Sequence, residues 1–217
     1  MVKAKEFEFF KDIDEDNPLK DLKYVKKSYK KGETVVKPSD SIHSIGFIIE
    51  GFLEALNYSY DGEKITSTYF SPNEIFPEYL YFSGENEFPY TLISLEASTI
   101  AWVKKDDFED ALNKSKKAMR SLIEYLSKRG LYNQLMLTCL DYNKVKQRIA
   151  YWLLNVKGLD NGEELYIYNT QTVLANKLHA SRSTLNQELK SLEKEGYFTV
   201  NNNIIRILSK EGLKKLI

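Results

Sequence analysis

The spacing of apolar residues along the chain changes once, at about residue 104. Before that point the sequence holds short runs in which apolar or β-branched residues alternate with polar ones, as in "SIGFIIEG", "EKITSTYF" and "YTLISLEAS". Turn-forming residues separate these runs, and Asp61-Gly62 stands between two of them. Period-two alternation predicts strands, and Asp-Gly between two such runs predicts a tight hairpin. The stretch from about Tyr29 to Val103 is therefore predicted to form a β-sandwich or barrel.

From about Lys105 the apolar spacing becomes helical, and residues 116–140 predict one long helix without proline. Residues seven positions apart form two interleaved sets on this helix, one of Met119, Leu126, Asn133 and Leu140, the other of Leu122, Arg129 and Met136. This imperfect heptad predicts the seam of a two-helix dimer. An amphipathic helix lying on the sheet is the alternative. The dimer seam is favoured because the helix is longer than the side of a small barrel.

The C-terminal part predicts two short helices joined by a tight turn. Asp141 is the expected N-cap of a preceding helix that includes Ile149 and Leu153, and "NGEELYIYNT" follows as a turn and a strand. Thr170 is expected to cap a helix from Gln171 to Leu178, and Ser181 to cap the next one after the turn His179-Ala180-Ser181. Two helices with such a turn make a helix-turn-helix.

A hairpin is predicted directly after the second helix. The stretch "GYFTVNNNIIRIL" has alternating runs on either side of three asparagines, 201–203, and "SKEGLKKLI" then predicts a short helix capped by Ser209. A hairpin in this position makes the unit a winged helix. It favours DNA binding over the alternative that the polar face of the second helix is merely solvated.

The second helix has two distinct faces. Leu185, Leu189 and Leu192 lie on the apolar one, and the other is polar. Arginine can bond guanine through two hydrogen bonds, and asparagine or glutamine can bond adenine. The predicted base-reading residues are Arg182, Ser183, Asn186 and Gln187. The predicted phosphate contacts are Lys190, Thr172 and Arg206, which would add affinity without sequence choice.

Charge is distributed unevenly although the formal net charge is zero. The part after Asp141 has 12 Lys and Arg against 7 Asp and Glu, a net charge of +5, and the part up to Asp141 carries −5. This asymmetry predicts an anionic partner for the C-terminal part only. No apolar run is long enough for a bilayer and the N-terminus lacks a secretory pattern, so a cytoplasmic protein without a membrane partner is expected. The acidic stretch 12–18 is interpreted as a solvated connector.

Candidate ligands for a metal are few. His43, His179 and the single cysteine, Cys139, are far apart in sequence, whereas zinc needs three or four such ligands at close spacing. No metal and no cofactor are therefore expected, and Cys139 is interpreted as a packed thiol. The sequence has no phosphate-binding loop, catalytic triad or paired-histidine motif, so an enzyme is not predicted. Two alternatives stay open: a ligand-binding module whose winged helix docks a protein, and a cupin-type metalloenzyme.

These stretches together resemble the Crp/Fnr family of bacterial transcription regulators. "YKKGETVVKPSDSIHSIGFIIEGFLEA" and "DGEKITSTYFSPNEIF" look like the family's first strands and hairpin, and "SRSTLNQELKSLEKEGYF" like its recognition helix and wing. The resemblance implies an α+β fold: an N-terminal double-stranded β-roll (jelly roll) over residues 1–114, a long dimerisation helix over 115–141, and a C-terminal winged helix-turn-helix over 142–217. It also implies a homodimer on a two-fold symmetric site in double-stranded DNA, with RNA polymerase as a further candidate partner.

The resemblance places Arg182, Ser183 and Gln187 at the family's base-reading positions. Family members often have Glu and Arg at the second and third of these, so a different target sequence is expected. His179 replaces the glycine that the family usually has in the turn, and histidine is among the residues that tolerate a positive φ.

The effector pocket is where this sequence departs from the cyclic-AMP-binding members, which have a Gly-Glu pair and then Arg-Ser about ten residues later. Here Glu78 stands at the ribose position, Pro77 replaces the glycine, and Phe88 and Pro89 replace the arginine and serine. Burying the cyclic phosphate without a cation is costly, so no response to cyclic AMP is expected. Gating by a cyclic nucleotide or another small effector is the alternative.

Two further residues belong to the predicted pocket. Asn133 and Gln134 lie where the family's long helix approaches the adenine. They would either contact another ligand or fix the register of the dimer, and the second interpretation is favoured because a seam asparagine can set register.

Overall fold

The structure is a computed structural model that describes residues 22–167 and 171–217. It divides into two compact units, with the boundary between Ser127 and Lys128 inside a long helix. The predicted helix cap Thr170 and the acidic stretch 12–18 lie outside the described residues. Among the described helices, none combines the length and the apolar character needed to cross a membrane.

The N-terminal unit contains two four-stranded antiparallel sheets. The first has the order β1-β8-β3-β6, with β1 Tyr24–Tyr29, β3 Ser44–Glu50, β6 Ile75–Phe76 and β8 Ser98–Lys104. The second has the order β2-β7-β4-β5, with β2 Thr34–Val36, β4 Leu53–Tyr58, β5 Lys64–Phe70 and β7 Thr91–Ser94. Asp61 and Gly62 form the turn between β4 and β5, as the sequence predicts, with Gly62 at φ +79°. This arrangement is the predicted β-roll.

Alternation along the strands fills the interior of the roll with apolar side chains. The buried set includes Ile48, Leu53, Phe70, Phe76, Leu92 and Ile100. Helix α1, Glu78–Phe82, adds Leu80 to this core.

A second core covers the other face of the first sheet. It is formed by helix α2, Lys105–Lys114, and the N-terminal half of helix α3, Lys116–Leu140. Phe108 of α2 meets Phe47 of β3 edge-on, with 5.7 Å between ring centroids. The hydroxyl of Tyr125 accepts from the amide of Ile75 (3.2 Å) and donates to its carbonyl (3.3 Å), which ties α3 to β6.

The C-terminal unit is a winged helix-turn-helix. Its elements are the C-terminal half of α3, helix α4 Val145–Tyr151, a π-helical turn Trp152–Val156, strand β9 Glu164–Tyr166, helices α5 Gln171–Lys177 and α6 Arg182–Lys194, strands β10 Phe198–Asn201 and β11 Ile204–Ile207, and helix α7 Lys210–Lys214. The three strands pair in the order β10-β11-β9. The predicted hairpin tip and the Ser209 cap are confirmed: Asn202 and Asn203 have φ +47° and +65°, and the Ser209 hydroxyl accepts from the Gly212 amide.

One predicted helix start is wrong. Asp141 follows directly on the last residue of α3, and its amide still donates to the Leu137 carbonyl (3.2 Å). Helix α4 begins four residues later, at Val145, and Lys144 is its N-cap residue. A short connection therefore separates the two helices where the sequence predicted direct capping.

Candidate nucleic-acid interface

The start of helix α6 is fixed by a hydroxyl cap. The Ser181 hydroxyl accepts from the Thr184 amide at 3.0 Å, and it also lies 2.8 Å from the hydroxyls of Ser183 and Thr184. A serine cap satisfies one of the amides that a helix N-terminus leaves without a partner. The predicted cap is confirmed, and it sets where the first turn of α6 begins.

Burial on one side of α6 determines which residues the other side presents. Leu185, Leu189 and Leu192 are buried in the core of the C-terminal unit. As a result Arg182, Ser183, Gln187 and Lys190 are exposed, and Asn186 is half-buried. All five predicted polar residues therefore share the outward side of the first three turns. The helix N-terminus adds a partial positive charge that favours an anion.

The three predicted phosphate contacts are all accessible. Lys190 is exposed on α6, and Thr172 is exposed in the first turn of α5. Arg206 is exposed on β11, and its Nε lies 3.9 Å from a carboxylate oxygen of Glu164 on β9. An exposed ion pair of this kind contributes about 0–1 kcal/mol. A phosphate can therefore compete for the Arg206 guanidinium.

The turn between α5 and α6 closes as a Schellman motif. The Ala180 amide donates to the Ala175 carbonyl (2.9 Å) and the His179 amide to the Asn176 carbonyl (3.1 Å). His179 has φ +48°, in the left-handed region that glycine usually occupies in this motif. The positive φ expected of a residue replacing that glycine is observed.

Arg148, on α4, is a residue of this region that the sequence interpretation missed. Its Nη1 donates to the carbonyls of Leu178 (3.0 Å) and His179 (3.1 Å), and its Nε donates to the carbonyl of Tyr142 (2.7 Å). Its sequence signal is weak, because the same short helix also contains Lys146 and nothing in the local sequence sets Arg148 apart. Only the fold brings it to a turn 30 residues away.

The predicted effector-pocket residues differ in their exposure to solvent: two are buried in the β-roll, and three are exposed. Glu78 and Phe88 are buried, at 0% and 4% exposed, and Phe88 packs against Tyr90 in the core, with ring centroids 5.9 Å apart. Pro89 is exposed, so it does not line the interior. Asn133 and Gln134 are exposed on the part of α3 that belongs to the C-terminal unit.

The predicted dimer seam needs a correction. Leu122 is 2% exposed and lies in the chain's own core, so a partner chain cannot reach it. Met136 is half-buried against the core of the C-terminal unit. Met119, Leu126 and Leu140 are half-buried, and Asn133 is exposed. The most exposed apolar residues of α3 are instead Ile123 and Leu137, at 55% and 67%.

Cys139 is buried, and its thiol donates to the carbonyl of Arg148 at 3.3 Å. Burial raises the pKa of the Cys139 thiol to about 11, which agrees with the interpretation as a packed, unreactive thiol. Within residues 22–167 and 171–217, no three His, Cys, Asp or Glu side chains come together as a metal site would require.

Comparisons with known proteins agree with this architecture. Residues 26–115 match the family model of the cyclic nucleotide-binding domain, and residues 147–216 match that of the Crp-like helix-turn-helix domain. The transcriptional activator protein FnrA of Stutzerimonas stutzeri is 20% identical over 191 residues, which are 85% of this chain and 77% of that protein.

Two solved structures have the same fold over most of their length. FixK2 from Bradyrhizobium japonicum aligns with a TM-score of 0.70 at 15% identity, covering 90% of this chain and 98% of that one. A CooA mutant from Carboxydothermus hydrogenoformans aligns with a TM-score of 0.72 at 15% identity, covering 88% of this chain and 87% of that one.

Proposed function

The chain belongs to the Crp/Fnr family of transcription regulators, and we propose that it binds a two-fold symmetric DNA site as a homodimer with α6 of each protomer in the major groove. The observation that carries this proposal is the outward polar side of α6, which begins at a capped N-terminus and presents Arg182 in its first turn. In a helix-turn-helix the N-terminal residues of the second helix meet base edges. The site of action would be the cytoplasm, where bacterial DNA lies.

Within this interface we assign base reading to Arg182, Ser183, Asn186 and Gln187. Arg182 would bond guanine, and Asn186 or Gln187 adenine. The Ser183 side chain has less freedom to turn towards a base, because its hydroxyl lies 2.8 Å from that of the cap residue Ser181. Lys190, Thr172 and Arg206 would hold the phosphates. The net charge of +5 after Asp141 supports an anionic partner for this part of the chain.

Dimerisation is proposed to use the exposed stripe of α3. Ile123, Gly130 and Leu137 are spaced seven residues apart, Ser127 and Gln134 fall between them, and all five are exposed. In the described part of the chain, no atom beyond the local helix backbone lies within 4 Å of the position that a Cβ would take at Gly130, so a second helix can approach closely there. Asn133 and Gln134 would fix the register of the pair. Met119 and Leu126 flank the stripe.

We further propose that cyclic AMP does not gate this protein. Phe88 stands where cyclic-AMP-binding members have the phosphate-binding arginine, and it is packed into the hydrophobic core. A cyclic phosphate beside Phe88 and the buried Glu78 would meet an apolar ring and a carboxylate rather than a cation. Regulation would then come from another small effector acting through the β-roll, or from the abundance of the protein.

The decisive experiment is an unbiased DNA-selection assay on the purified chain, with and without cell extract. We expect a symmetric site whose two halves are about 34–36 Å apart, one helical turn or a multiple of it. Affinity for that site should fall steeply with salt and be unchanged by added cyclic AMP. Absence of any enriched sequence under both conditions would contradict the proposal. A protein partner retained at high salt would instead favour the docking-module alternative.

A further inference from the structure

The guanidinium of Arg148 connects two parts of the C-terminal unit that are far apart in sequence. One contact is with Tyr142, in the connection that follows α3, and the other two are with Leu178 and His179, at the end of α5. Arg148 is half-buried, and its own carbonyl accepts from the Cys139 thiol near the end of α3. The connection after the long helix and the turn before the recognition helix therefore share one cation, and the backbone of the same residue contacts the last turn of α3.

The turn needs such support because carbonyls at the end of a helix require hydrogen-bond donors from outside the helix. The last carbonyls of a helix have no partner within it, and the Schellman motif satisfies only those of Ala175 and Asn176 here. The carbonyls of Leu178 and His179, two and three residues beyond Asn176, are the two to which Arg148 donates. A positive charge also interacts favourably with the negative end of the helix dipole.

The same chain supplies a comparison at the end of α6. There the Tyr197 amide donates to the Leu192 carbonyl (3.1 Å) and the Gly196 amide to the Glu193 carbonyl (2.9 Å), so the motif is the same. Its left-handed position is occupied by Gly196, at φ +80°, and within residues 22–167 and 171–217 no arginine donates to the carbonyls of this turn. Where glycine is replaced by His179, which is strained at positive φ, the structure adds the Arg148 clamp.

We infer that Arg148 is a positioning residue for DNA recognition: it holds the α5–α6 turn, and thereby the direction of α6, relative to the end of α3. Arg148 does not itself contact bases in this assignment. Losing it leaves two turn carbonyls and one carbonyl of the connection without their donor. Helix α6 would then sample several directions, and base contacts, which require exact distances, would weaken more than phosphate contacts. The inference rests on the proposed function of α6.

A merely structural role would have a different consequence. If Arg148 only stabilised the fold, its replacement would reduce the fraction of folded protein and lower binding to every duplex equally. A positioning role changes the ratio of the two affinities, because contacts with phosphates depend less on the direction of α6 than contacts with base edges. The ratio of dissociation constants on the selected site and on random duplex is therefore the informative quantity.

The experiment compares Arg148→Gln and Arg148→Lys with the unchanged chain and with Lys146→Gln. The control removes one positive charge from the same helix. All binding is measured on the selected site and on random duplex, well below the unfolding midpoint of each variant. We expect Arg148→Gln to lower the specific-to-random ratio about tenfold, the size expected for a lost charge-assisted hydrogen bond. A lysine can reach fewer carbonyls, so the ratio of Arg148→Lys should lie between those of Arg148→Gln and the unchanged chain. Lys146→Gln should leave the ratio unchanged.

A second set of variants changes the turn itself. His179→Gly removes the strain at positive φ, so it should restore part of the ratio lost in Arg148→Gln. Amide hydrogen exchange adds a local readout: the Ala180 amide should exchange faster in Arg148→Gln, while the Val200 amide in the wing stays protected. Equal losses on both duplexes, or no rescue by His179→Gly, would overturn the inference. Failure of the unchanged chain to prefer any duplex would instead count against the proposed function.

Discussion

The amide of Val200, in strand β10 of the wing, donates to the side-chain carboxylate of Glu193, on the recognition helix, at 2.7 Å. This bond is partly buried, and the hairpin reverses between Asn201 and Ile204. The wing is thus anchored on the helix that it flanks. Because the acceptor is charged, the bond is stronger than an ordinary amide–carbonyl pair.

Replacing Glu193 by Ala should therefore lower the free energy of unfolding by about 1–2 kcal/mol. Glu193→Gln keeps an acceptor and should lose less than half of that. Glu188→Ala, one and a half turns earlier on α6, is the matched control and should change stability by no more than about 0.5 kcal/mol. Urea denaturation followed by circular dichroism measures all three. A Glu193→Ala protein as stable as the control would show that the wing does not depend on this bond.

A second prediction concerns two glycines of the β-roll. Gly51 has φ +97°, and a Cβ there would lie 2.1 Å from the Ser98 hydroxyl and 2.5 Å from the Ser98 Cα. Gly62 has φ +79°, but a Cβ there would have no described residue other than its chain neighbours within 4 Å. Gly51→Ala should cost about 3 kcal/mol, from strain and overpacking together, whereas Gly62→Ala should cost about 1 kcal/mol, from strain alone. Thermal unfolding compares the two, and equal costs would mean that Ser98 can move aside.

The predictions that succeeded from sequence are those that depend on local chemistry. The Asp61-Gly62 hairpin, the Ser181 cap and the Ser209 cap are each formed by a residue whose preference is satisfied within four positions of the chain. The polar side of α6 is equally local, since three leucines at helical spacing determine the buried face. The family resemblance then supplied the order of the domains.

The stripe that we propose for dimerisation could not be derived in the same way. Apolar residues occur on several sides of α3, among them Met119, Leu122, Ile123 and Leu126, so heptad counting admits more than one stripe. The β-roll core selects the side containing Leu122, and this leaves Ile123 exposed. The Arg148 clamp also depends on tertiary structure, because its acceptors are backbone carbonyls, which any residue type would provide.

The proposed dimer stripe of α3 gives a third prediction. Ile123→Glu and Leu137→Glu should each produce folded monomers, because a charge in the seam opposes pairing and neither side chain is needed in the core. Lys128→Glu, exposed on another side of α3, should remain dimeric. Leu122→Glu should unfold the β-roll, since it buries an unpaired charge. Sedimentation velocity and circular dichroism distinguish these outcomes, and a dimeric Leu137→Glu protein would refute the stripe around that residue.

Cys139 provides a prediction on pH. Burial raises the pKa of this thiol from 9.0 to about 11, so the folded state favours the protonated form more than the unfolded state does. The stability from this difference is fully present below pH 9 and is lost as pH rises towards 11. The free energy of unfolding of Cys139→Ala should therefore fall less than that of the unchanged chain as pH rises from 9 towards 11. Chemical denaturation at pH 8 and pH 10.5 tests this, with an equal loss in both proteins as the contradicting result. At pH 8 the native thiol should react with a disulfide reagent only after unfolding.

The last prediction separates the two classes of DNA contact on α6. Arg182→Ala should weaken binding to the selected site by about 1–3 kcal/mol and leave random duplex almost unaffected, because a lost base contact matters only where the correct base is present. Lys190→Ala should weaken both equally and reduce the slope of log K against log salt by about 0.9, the contribution of one phosphate contact. Both residues are exposed, so neither change should destabilise the fold. Fluorescence anisotropy on both duplexes over a salt series measures the affinities and slopes together. If Arg182→Ala instead reduces the salt slope and binding to random duplex as Lys190→Ala does, then Arg182 contacts phosphate, and base reading by α6 would have to begin at Ser183.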